Sequence, residues 1–255
     1  CNSCYYCRKG MPNLCDELSS FRLNGPDVYG MGGLGEYISI DRSSVWKYTR
    51  PVSLQDQVLT EPLACVLNSI SNASIEPGDD VLIIGGGVMG LLHVMVAKLR
   101  GAYTILSEPN PERRKWAQDL GCHLTLDPTA VDLQAEIAHL TEGRGVNTVI
   151  NTTAIPAVAE QALGLLAKGG VFVMYSSQHP DAPIKMSPNW VHNTEVVITG
   201  AVNPSTSSFD QAVRMINKGI IRPGRFVTAE FNYKDCQQAF EAAIDPKNYR
   251  VMITF

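Results

Sequence analysis

The sequence has no apolar run long enough to cross a membrane and no excess of positive charge. A membrane-spanning helix needs about 20 consecutive apolar residues, and no stretch of the 255 residues approaches that length. The net charge of −4 offers no electrostatic attraction for nucleic acid or for an anionic membrane surface. No signal peptide is recognisable, and the first residue is not methionine. We therefore expect a cytoplasmic protein, present here as a fragment, with neither nucleic acid nor membrane among its partners.

Histidine is scarce, and cysteine is unevenly placed. None of the five histidines has a neighbour at metal-ligand spacing, so we expect them to be surface or packing residues. Three of the seven cysteines, Cys65, Cys122 and Cys236, stand alone in apolar or helical surroundings, which predicts small buried side chains. The other four crowd the first 15 residues. This crowding favours a metal site over a disulfide framework, and with it a reducing compartment.

The four crowded cysteines, Cys1, Cys4, Cys7 and Cys15, form a C-x2-C-x2-C-x7-C pattern. A lobe with so few apolar residues needs an added source of stability, which four thiolates around tetrahedral zinc would supply. Bacterial iron–sulfur proteins share the start of this pattern, but their fourth cysteine follows after three residues and precedes proline. Here it follows after seven residues and precedes Asp16. We therefore predict structural Zn2+ with no open coordination position, ahead of an iron–sulfur cluster and of disulfides.

A glycine-rich turn, Gly85 to Gly90, joins an apolar run to a helical pattern. In the G-x-G-x-x-G pattern, Gly85 permits the tight turn, Gly87 lets a pyrophosphate approach the backbone, and Gly90 allows close helix packing. The N-terminus of the following helix then offers N–H groups and a positive dipole to an anion. Such turns also occur for packing alone, so the surrounding sequence has to decide between the two interpretations.

Glu108 favours the dinucleotide interpretation. It ends the next apolar run, Tyr103–Ser107, at about the 20-residue distance from the glycines where an acid binds the adenosine ribose hydroxyls. A carboxylate accepts from the free 2′-hydroxyl of NAD and repels the 2′-phosphate of NADP. Arg113 and Arg114 lie close in sequence and could soften that preference. The pattern predicts NAD as the cofactor.

Strand and helix patterns alternate through the middle of the chain, which predicts a Rossmann-type, doubly wound parallel sheet at residues 67–203. Ligands of such sheets lie beyond the carboxyl ends of the strands. This places three loops near the cofactor: Thr152-Thr153, Ser176-Ser177 and Ala201-Val202-Asn203. Turn signals and alternating residues in the N-terminal part, 1–66, predict a β-rich lobe that the C-terminal residues 204–255 rejoin. The predicted strands are 81–84, 103–107, 123–126, 148–151, 170–175 and 196–200, followed in the C-terminal part by 226–231 and 251–255. The predicted helices are 88–100, 111–120, 132–141, 157–166 and 187–192, followed by 209–218 and 233–244. In the N-terminal part, the turn signals are 24–26 and 30–33, and the alternating run is 36–40.

These motifs together resemble the zinc-containing alcohol dehydrogenases of the medium-chain dehydrogenase/reductase superfamily, in particular the polyol and threonine dehydrogenases. The resemblance covers essentially the whole chain. It rests on the four-cysteine lobe, the Gly-Gly-Leu-Gly-Glu-Tyr run at 32–37, Glu61-Pro62-Leu63-Ala64-Cys65, the glycine turn, Ser107-Glu108-Pro109 with Arg113-Arg114, and Asn248-Tyr249-Arg250-Val251.

The resemblance implies roles for further residues around the cofactor. Met89 would pack against it, Glu108 and Arg113 would lie at the adenosine ribose, and Arg250 would contact the pyrophosphate. The two strand-end loops, Tyr175–Ser177 and Ala201–Asn203, would line the nicotinamide. For Arg250, a solvated charge at the end of a strand is an equally good interpretation.

The resemblance also implies a catalytic zinc, for which this chain supplies part of a site. Glu61 matches the position of an acid or cysteine at or near that zinc, although an acid at a helix start also suits the helix dipole. The family's other catalytic ligands, a cysteine and a histidine, precede the four-cysteine lobe, and none of the five histidines matches them.

The implied function is hydride transfer between NAD and a secondary alcohol (a polyol, sugar alcohol or amino alcohol), by a homodimer or homotetramer. We expect the 255 residues alone to be inactive. The alternative is a non-catalytic, zinc-stabilised dinucleotide-binding module, and the four-cysteine lobe disfavours a zinc-free reductase of the same superfamily.

Overall fold

The computed structural model describes residues 1–17, 33–40, 42–178 and 181–255. The predicted turns at 24–32 and His179 lie outside them. The chain divides into a terminal unit, Cys1–Ala64 with Asn203–Phe255, and a central unit, Cys65–Val202. The domain limits predicted at 66/67 and 203/204 remain predictions, because a domain is defined by independent folding.

The helices and strands follow the predicted alternation. In chain order they are α1 (Tyr5–Arg8), α2 (Leu54–Gln57), α3 (Thr60–Ala73), β1 (Asp80–Ile84), α4 (Val88–Leu99), β2 (Tyr103–Ser107), α5 (Pro111–Asp119), β3 (Leu124–Leu126), α6 (Leu133–Leu140), β4 (Val146–Asn151), α7 (Pro156–Leu163), β5 (Leu166–Met174), α8 (Pro188–Thr194), β6 (Val197–Gly200), α9 (Thr206–Asn217), β7 (Val227–Asn232), α10 (Cys236–Ile244) and β8 (Arg250–Thr254). None of the helices in the described ranges is both long and apolar enough to cross a bilayer.

The central unit is a six-stranded parallel sheet in the order β3-β2-β1-β4-β5-β6. This order is that of the doubly wound dinucleotide-binding fold, and it confirms the predicted fold class. All four residues Val81–Ile84 of β1 are buried. Because successive strand residues point to opposite faces, both faces of the sheet are covered. The strand order reverses between β1 and β4, which places a ligand site at the carboxyl end of β1.

Capping residues fix where several helices of the central unit begin. Asn110 accepts from the N–H groups of Glu112 and Arg113, with Pro111 at the first position of α5. Asp132 caps α6 through Gln134 N–H and Ala135 N–H. Such caps satisfy N–H groups that have no partner within the helix. The short polar residues between the apolar runs thus set the lengths of the loops at the sheet edge.

The predicted end of α7 was wrong, because the helix was expected to reach Leu166. It ends at Leu163, and Leu166 begins β5 opposite Val146 of β4. The Val146 N–H donates to the Leu165 carbonyl at 2.9 Å. A hydrogen-bonded partner strand outweighs the helical pattern of these residues.

The two halves of the terminal unit are joined by specific contacts. Asn217 Oδ1 accepts from the N–H groups of Thr49 and Arg50, each at 3.1 Å. The buried Asp56 accepts from Gly224 N–H at 2.7 Å. The two parallel strands β7 and β8, with α10 between them in sequence, form the sheet of this unit.

Two further sequence predictions fail, one for residues 36–40 of the terminal unit and one for the burial of the isolated cysteines. Residues 36–40 alternate but form no strand within the described ranges, and residues 33–40 are exposed. Alternation specifies a face, whereas a strand also needs a hydrogen-bonded neighbour. Cys236 is exposed at the first position of α10 rather than buried, and Cys65 is only partly buried, whereas Cys122 is buried as predicted.

Candidate functional site

The glycine turn follows β1 at the point where the strand order reverses. Gly85 has φ +97°, a conformation that strains residues with a side chain. A Cβ at Gly85 would also lie 2.7 Å from Thr152 Oγ1. That hydroxyl donates to the Ile84 carbonyl at 2.7 Å, so the loop after β4 holds the turn in place. Gly85 is therefore required by the backbone itself.

Gly87 and Gly90 differ sharply in what surrounds them. A Cβ at Gly90 would lie 1.8 Å from the Gly85 carbonyl oxygen, whereas a Cβ at Gly87 would meet nothing within 4 Å. Helix α4 begins directly after Gly87, which offers no side-chain cap. The first hydrogen bond of the helix runs from Leu91 N–H to the Gly87 carbonyl at 2.9 Å, so the N–H groups of residues 88–90 precede it. Open space beside such N–H groups fits a pyrophosphate.

Glu108 is held at the carboxyl end of β2 by two backbone donors. It is 4% exposed, its Oε2 accepts from Gly86 N–H at 2.6 Å and its Oε1 from Asn110 N–H at 2.8 Å. Each carboxylate oxygen has room for a second hydrogen bond. The carboxylate is thus fixed in place and still able to accept from a ribose diol.

Gly86 is a site residue that the sequence reasoning missed. A Cβ there would lie 2.9 Å from Glu108 Cγ and 3.2 Å from Arg113 Cβ. The fingerprint leaves this position variable, so the only available signal was that Gly86 is the middle one of three consecutive glycines. Gly86 brings the turn against the predicted ribose acid and beside Arg113.

The guanidinium of Arg114 is engaged in hydrogen bonds and an ion pair with neighbouring loop residues. Its Nη1 donates to the carbonyls of Glu108 and Pro109, each at 2.7 Å, and lies 3.1 Å from Asp127 Oδ2. The Thr129 hydroxyl and N–H, and then Arg114, hold the pKa of Asp127 below its usual range. Arg114 therefore braces the loop that carries Glu108, which makes it a poor candidate for binding a 2′-phosphate.

The two predicted nicotinamide loops follow β5 and β6 at the same edge of the parallel sheet. The Tyr175 N–H donates to the Asn151 carbonyl at 3.1 Å, and the Ala201 N–H to the Met174 carbonyl at 3.3 Å. Ser176 is partly buried, and Ser177 and Val202 are exposed. Asn203, with φ +54°, belongs to the terminal unit. The roles of these residues toward a cofactor remain predictions.

His93 is a second residue whose place the sequence did not reveal. It is fully buried in α4, with Nδ1 2.7 Å from the Met89 carbonyl oxygen and Nε2 2.9 Å from Ser69 Oγ. Its ring meets that of Tyr175 edge to face, with centroids 4.7 Å apart. Burial lowers the pKa of His93 to about 4. The prediction that it is a packing residue is confirmed, and its partners lie beside the glycine turn.

The buried His93 should make the protein lose stability in mild acid. Its folded pKa of about 4 lies below the ordinary value of 6.5, so the unfolded chain binds the proton more readily between these values. The contribution of neutral His93 to the free energy of unfolding is complete above pH 6.5 and declines as the pH falls toward 4. At pH 5 the loss is roughly 2 kcal/mol. Urea titrations at pH 7.5 and pH 5 should show this loss, and His93→Asn should remove that part of it. An equal loss in wild type and variant would assign the acid sensitivity to other groups.

The four cysteines of the lobe converge as a zinc site requires. Their Sγ atoms all lie within 4.8 Å of one another, and within the described ranges they are the one group of three or more potential metal ligands. Tetrahedral zinc with Zn–S bonds of about 2.3 Å holds its sulfurs roughly 3.8 Å apart. The Cys7 N–H donates to Cys4 Sγ at 3.5 Å and is the first cause that lowers the pKa of Cys4 to about 7. A thiol that deprotonates this readily suits a metal site, whereas burial raises the pKa of the Cys7 thiol.

Glu61 and Arg250 line one pocket of the terminal unit, with a volume of about 410 Å3. Glu61 is exposed in the first turn of α3, and Arg250 is the first residue of β8. The remaining lining is apolar and comes mainly from α10 and β8. Glu61 belongs to no group of three metal ligands within the described part of the chain. The zinc role of Glu61 and the phosphate role of Arg250 remain predictions.

The chain is similar in sequence and fold to known proteins. A family model described as zinc-binding dehydrogenase matches residues 88–218. The chain is 26% identical over 256 residues to a sorbitol dehydrogenase of Halalkalibacterium halodurans, matching 100% of this chain and 73% of that protein. It is 32% identical over 171 residues to an L-threonine 3-dehydrogenase of Pyrococcus abyssi, matching 67% of this chain and 47% of that protein.

A solved structure from Sinorhizobium meliloti 1021, assigned to the zinc-binding dehydrogenases and bound to NADP, superimposes with a TM-score of 0.84 at 25% identity. The match covers 100% of this chain and 74% of that one.

Proposed function

Because the chain belongs to the zinc-binding dehydrogenase family, we propose that it serves hydride transfer between NAD and a secondary alcohol. The substrate class is a polyol, sugar alcohol or amino alcohol, in keeping with the sorbitol and threonine dehydrogenases among its relatives. The protein acts as a homodimer or homotetramer. The relatives are longer than the matched part of this chain, so the activity proposed is that of the whole enzyme.

The observation that carries the proposal is the pairing of Glu108 with open space at Gly87. The carboxylate is fixed by Gly86 N–H and Asn110 N–H, and the N-terminus of α4 is open beside Gly87. A ribose diol at the first and a pyrophosphate at the second correspond to the ribose and the diphosphate of an ADP group. Met89, Arg113, Tyr175–Ser177, Ala201–Asn203 and Arg250 complete the proposed contacts to NAD.

Each zinc has a separate role in the proposal. Cys1, Cys4, Cys7 and Cys15 hold structural Zn2+, which their converging thiols support. Glu61 acts at or near a catalytic zinc, which when bound would polarise the oxygen of the alcohol or carbonyl as a Lewis acid. The central unit contributes position and field for the hydride transfer.

A non-catalytic dinucleotide-binding module is the second candidate. What favours it for these 255 residues is that, in the described part of the chain, Glu61 belongs to no group of three or more potential metal ligands. Both candidates bind NADH. Turnover of secondary alcohols by the longer natural protein, with zinc supplied, supports the enzyme, and binding without turnover supports the module.

Glu108→Gln should shift the cofactor preference away from NAD. The amide oxygen keeps an acceptor for the buried Gly86 N–H, while the exposed Asn110 loses its acceptor to the NH2 group and can turn to water. The amide also loses the charge that repels a 2′-phosphate and strengthens the bond to the 2′-hydroxyl. We expect NADH to bind about tenfold more weakly, a change of roughly 1.4 kcal/mol. The affinity for NADPH should stay the same or increase. Fluorescence titrations with both nucleotides give the ratio.

The matched control is Glu112→Gln, an exposed acid four residues along the same loop and helix. It changes the net charge equally and should leave the NADH to NADPH ratio unaltered. A wild type that prefers NADPH, or an unchanged ratio in Glu108→Gln, would rule out Glu108 as the selector for NAD.

A further inference from the structure

His93 occupies a place where two sides of the proposed dinucleotide site meet, and the following inference rests on that proposed site. We propose that His93 is a positioning residue, which holds the first turn of α4 through the Met89 carbonyl and the nicotinamide side through the ring of Tyr175. Met89 and Tyr175 belong to the two ends of the proposed cofactor site, and His93 contacts both.

The hydrogen bonds of His93 define its tautomer. The Met89 carbonyl can only accept, so Nδ1 carries the proton and donates to it at 2.7 Å. Nε2 is then the acceptor, and the Ser69 hydroxyl of α3 donates to it at 2.9 Å. With both nitrogens engaged in a fully buried site, the imidazole has a single orientation.

The bond to Met89 acts on the anion-binding end of α4. The Met89 carbonyl shares its peptide unit with the Gly90 N–H, one of the N–H groups that precede the first helical hydrogen bond. A donor on the carbonyl side polarises the peptide and strengthens the N–H as a donor. His93 thereby orients a group that faces the pyrophosphate in the proposed site.

The contact with Tyr175 acts at the other end. Tyr175 directly follows β5, and its backbone N–H is tied to the Asn151 carbonyl. The direction of its ring depends on its neighbours, and the edge-to-face contact with His93, at an interplanar angle of 82°, is a favoured aromatic geometry. The orientation of the imidazole thus determines the orientation of the Tyr175 ring, which lines the nicotinamide side of the proposed site.

Two substitutions separate these effects. His93→Phe keeps a ring against Tyr175 and removes both nitrogen atoms. His93→Asn places an amide nitrogen where Nδ1 lies, so the bond to the Met89 carbonyl is kept while the ring is lost. The probes are NADH and ADP-ribose, which lacks the nicotinamide. NADH binding is measured by fluorescence and ADP-ribose binding by calorimetry. Both are measured at pH 8, far above the His93 pKa of about 4.

We expect His93→Phe to weaken NADH and ADP-ribose by the same factor, about fivefold to tenfold, because one hydrogen bond at the shared end is lost. His93→Asn should weaken NADH about threefold to tenfold, since the Tyr175 contact is lost, and leave ADP-ribose binding within about twofold of wild type. Cys122→Ala, a truncation of a buried side chain in the same unit, should leave both affinities unchanged and so controls for lost stability.

Equal affinities in wild type and His93→Phe would overturn the positioning role. It would also be overturned if His93→Asn weakened ADP-ribose as much as His93→Phe does, since the effect would then be general loosening of the core. A folded wild type that binds neither NADH nor ADP-ribose would overturn the proposed dinucleotide function together with this inference. The wild-type titration therefore tests the proposed dinucleotide function, and the variants test the positioning role of His93 only when the wild type binds NADH.

Discussion

Gly90→Ala should abolish dinucleotide binding and destabilise the central unit by several kcal/mol. The new Cβ would lie 1.8 Å from the Gly85 carbonyl oxygen and 2.9 Å from the Gly85 carbonyl carbon. Both are backbone atoms of the turn, so no side chain can rotate to make room, and α4 must move away from β1. We expect the urea midpoint to fall markedly and NADH affinity to drop by more than about 100-fold.

Gly87→Ala is the matched control, because it makes the same chemical change three residues earlier. Its Cβ would meet nothing within 4 Å, and its backbone, at φ −71° and ψ −179°, suits any residue. Stability should change by no more than about 1 kcal/mol, while NADH affinity falls at least about tenfold, because the methyl group enters the space proposed for the pyrophosphate. Unchanged NADH binding in Gly87→Ala would contradict the placement of the pyrophosphate at this turn.

Zinc content should depend on each cysteine of the four-cysteine lobe. We expect about one zinc per chain in the wild type and close to none in Cys7→Ser, since a site with three thiolates is weaker and open to water. The lobe offers few buried apolar side chains, with Cys15 alone buried among residues 1–17. Loss of the metal should therefore unfold the lobe, which atomic absorption and trypsin cleavage within residues 1–17 would both report.

Cys236→Ser serves as the control for this experiment. Cys236 is exposed on α10 and is not among the four converging thiols, so zinc content and cleavage should match the wild type. Retention of a full equivalent of zinc by Cys7→Ser would exclude the four-thiolate site. An iron–sulfur absorption band in the wild type would show that the four thiolates hold a cluster instead of zinc.

Local patterns predicted the parts of the fold that local physics determines. Apolar runs bounded by glycine, proline and capping residues located β1, β2, α4 and α5 to within about one residue, since burial and capping act over a few positions. The glycine fingerprint and Glu108 also stand close together along the chain. Their convergence at the end of β1 and β2 follows from parallel pairing of adjacent strands.

The features that escaped prediction depend on contacts between distant residues. Ser69 and His93 are 24 positions apart, and nothing in the sequence around either indicates the other. Leu166 joined β5 because Val146 pairs with it, whereas its own neighbours favour a helix. Residues 36–40 alternate as a strand would, but alternation cannot supply a pairing partner. Tertiary context overrides the local pattern in each of these cases.

The way Glu108 is held constrains how cofactor choice could change during evolution. The same carboxylate that would select NAD also closes the hydrogen bonds of Gly86 N–H and Asn110 N–H in a buried position. Replacement by a short or cationic residue would leave both donors without this acceptor. The buried Gly86 N–H would cost about 1–3 kcal/mol, whereas Asn110 is exposed and its N–H can turn to water. A lineage moving toward NADP would therefore need compensating changes at Gly86 or Asn110 before, or together with, the change at Glu108. In the proposed site, cofactor preference would therefore be coupled to the stability of the glycine turn.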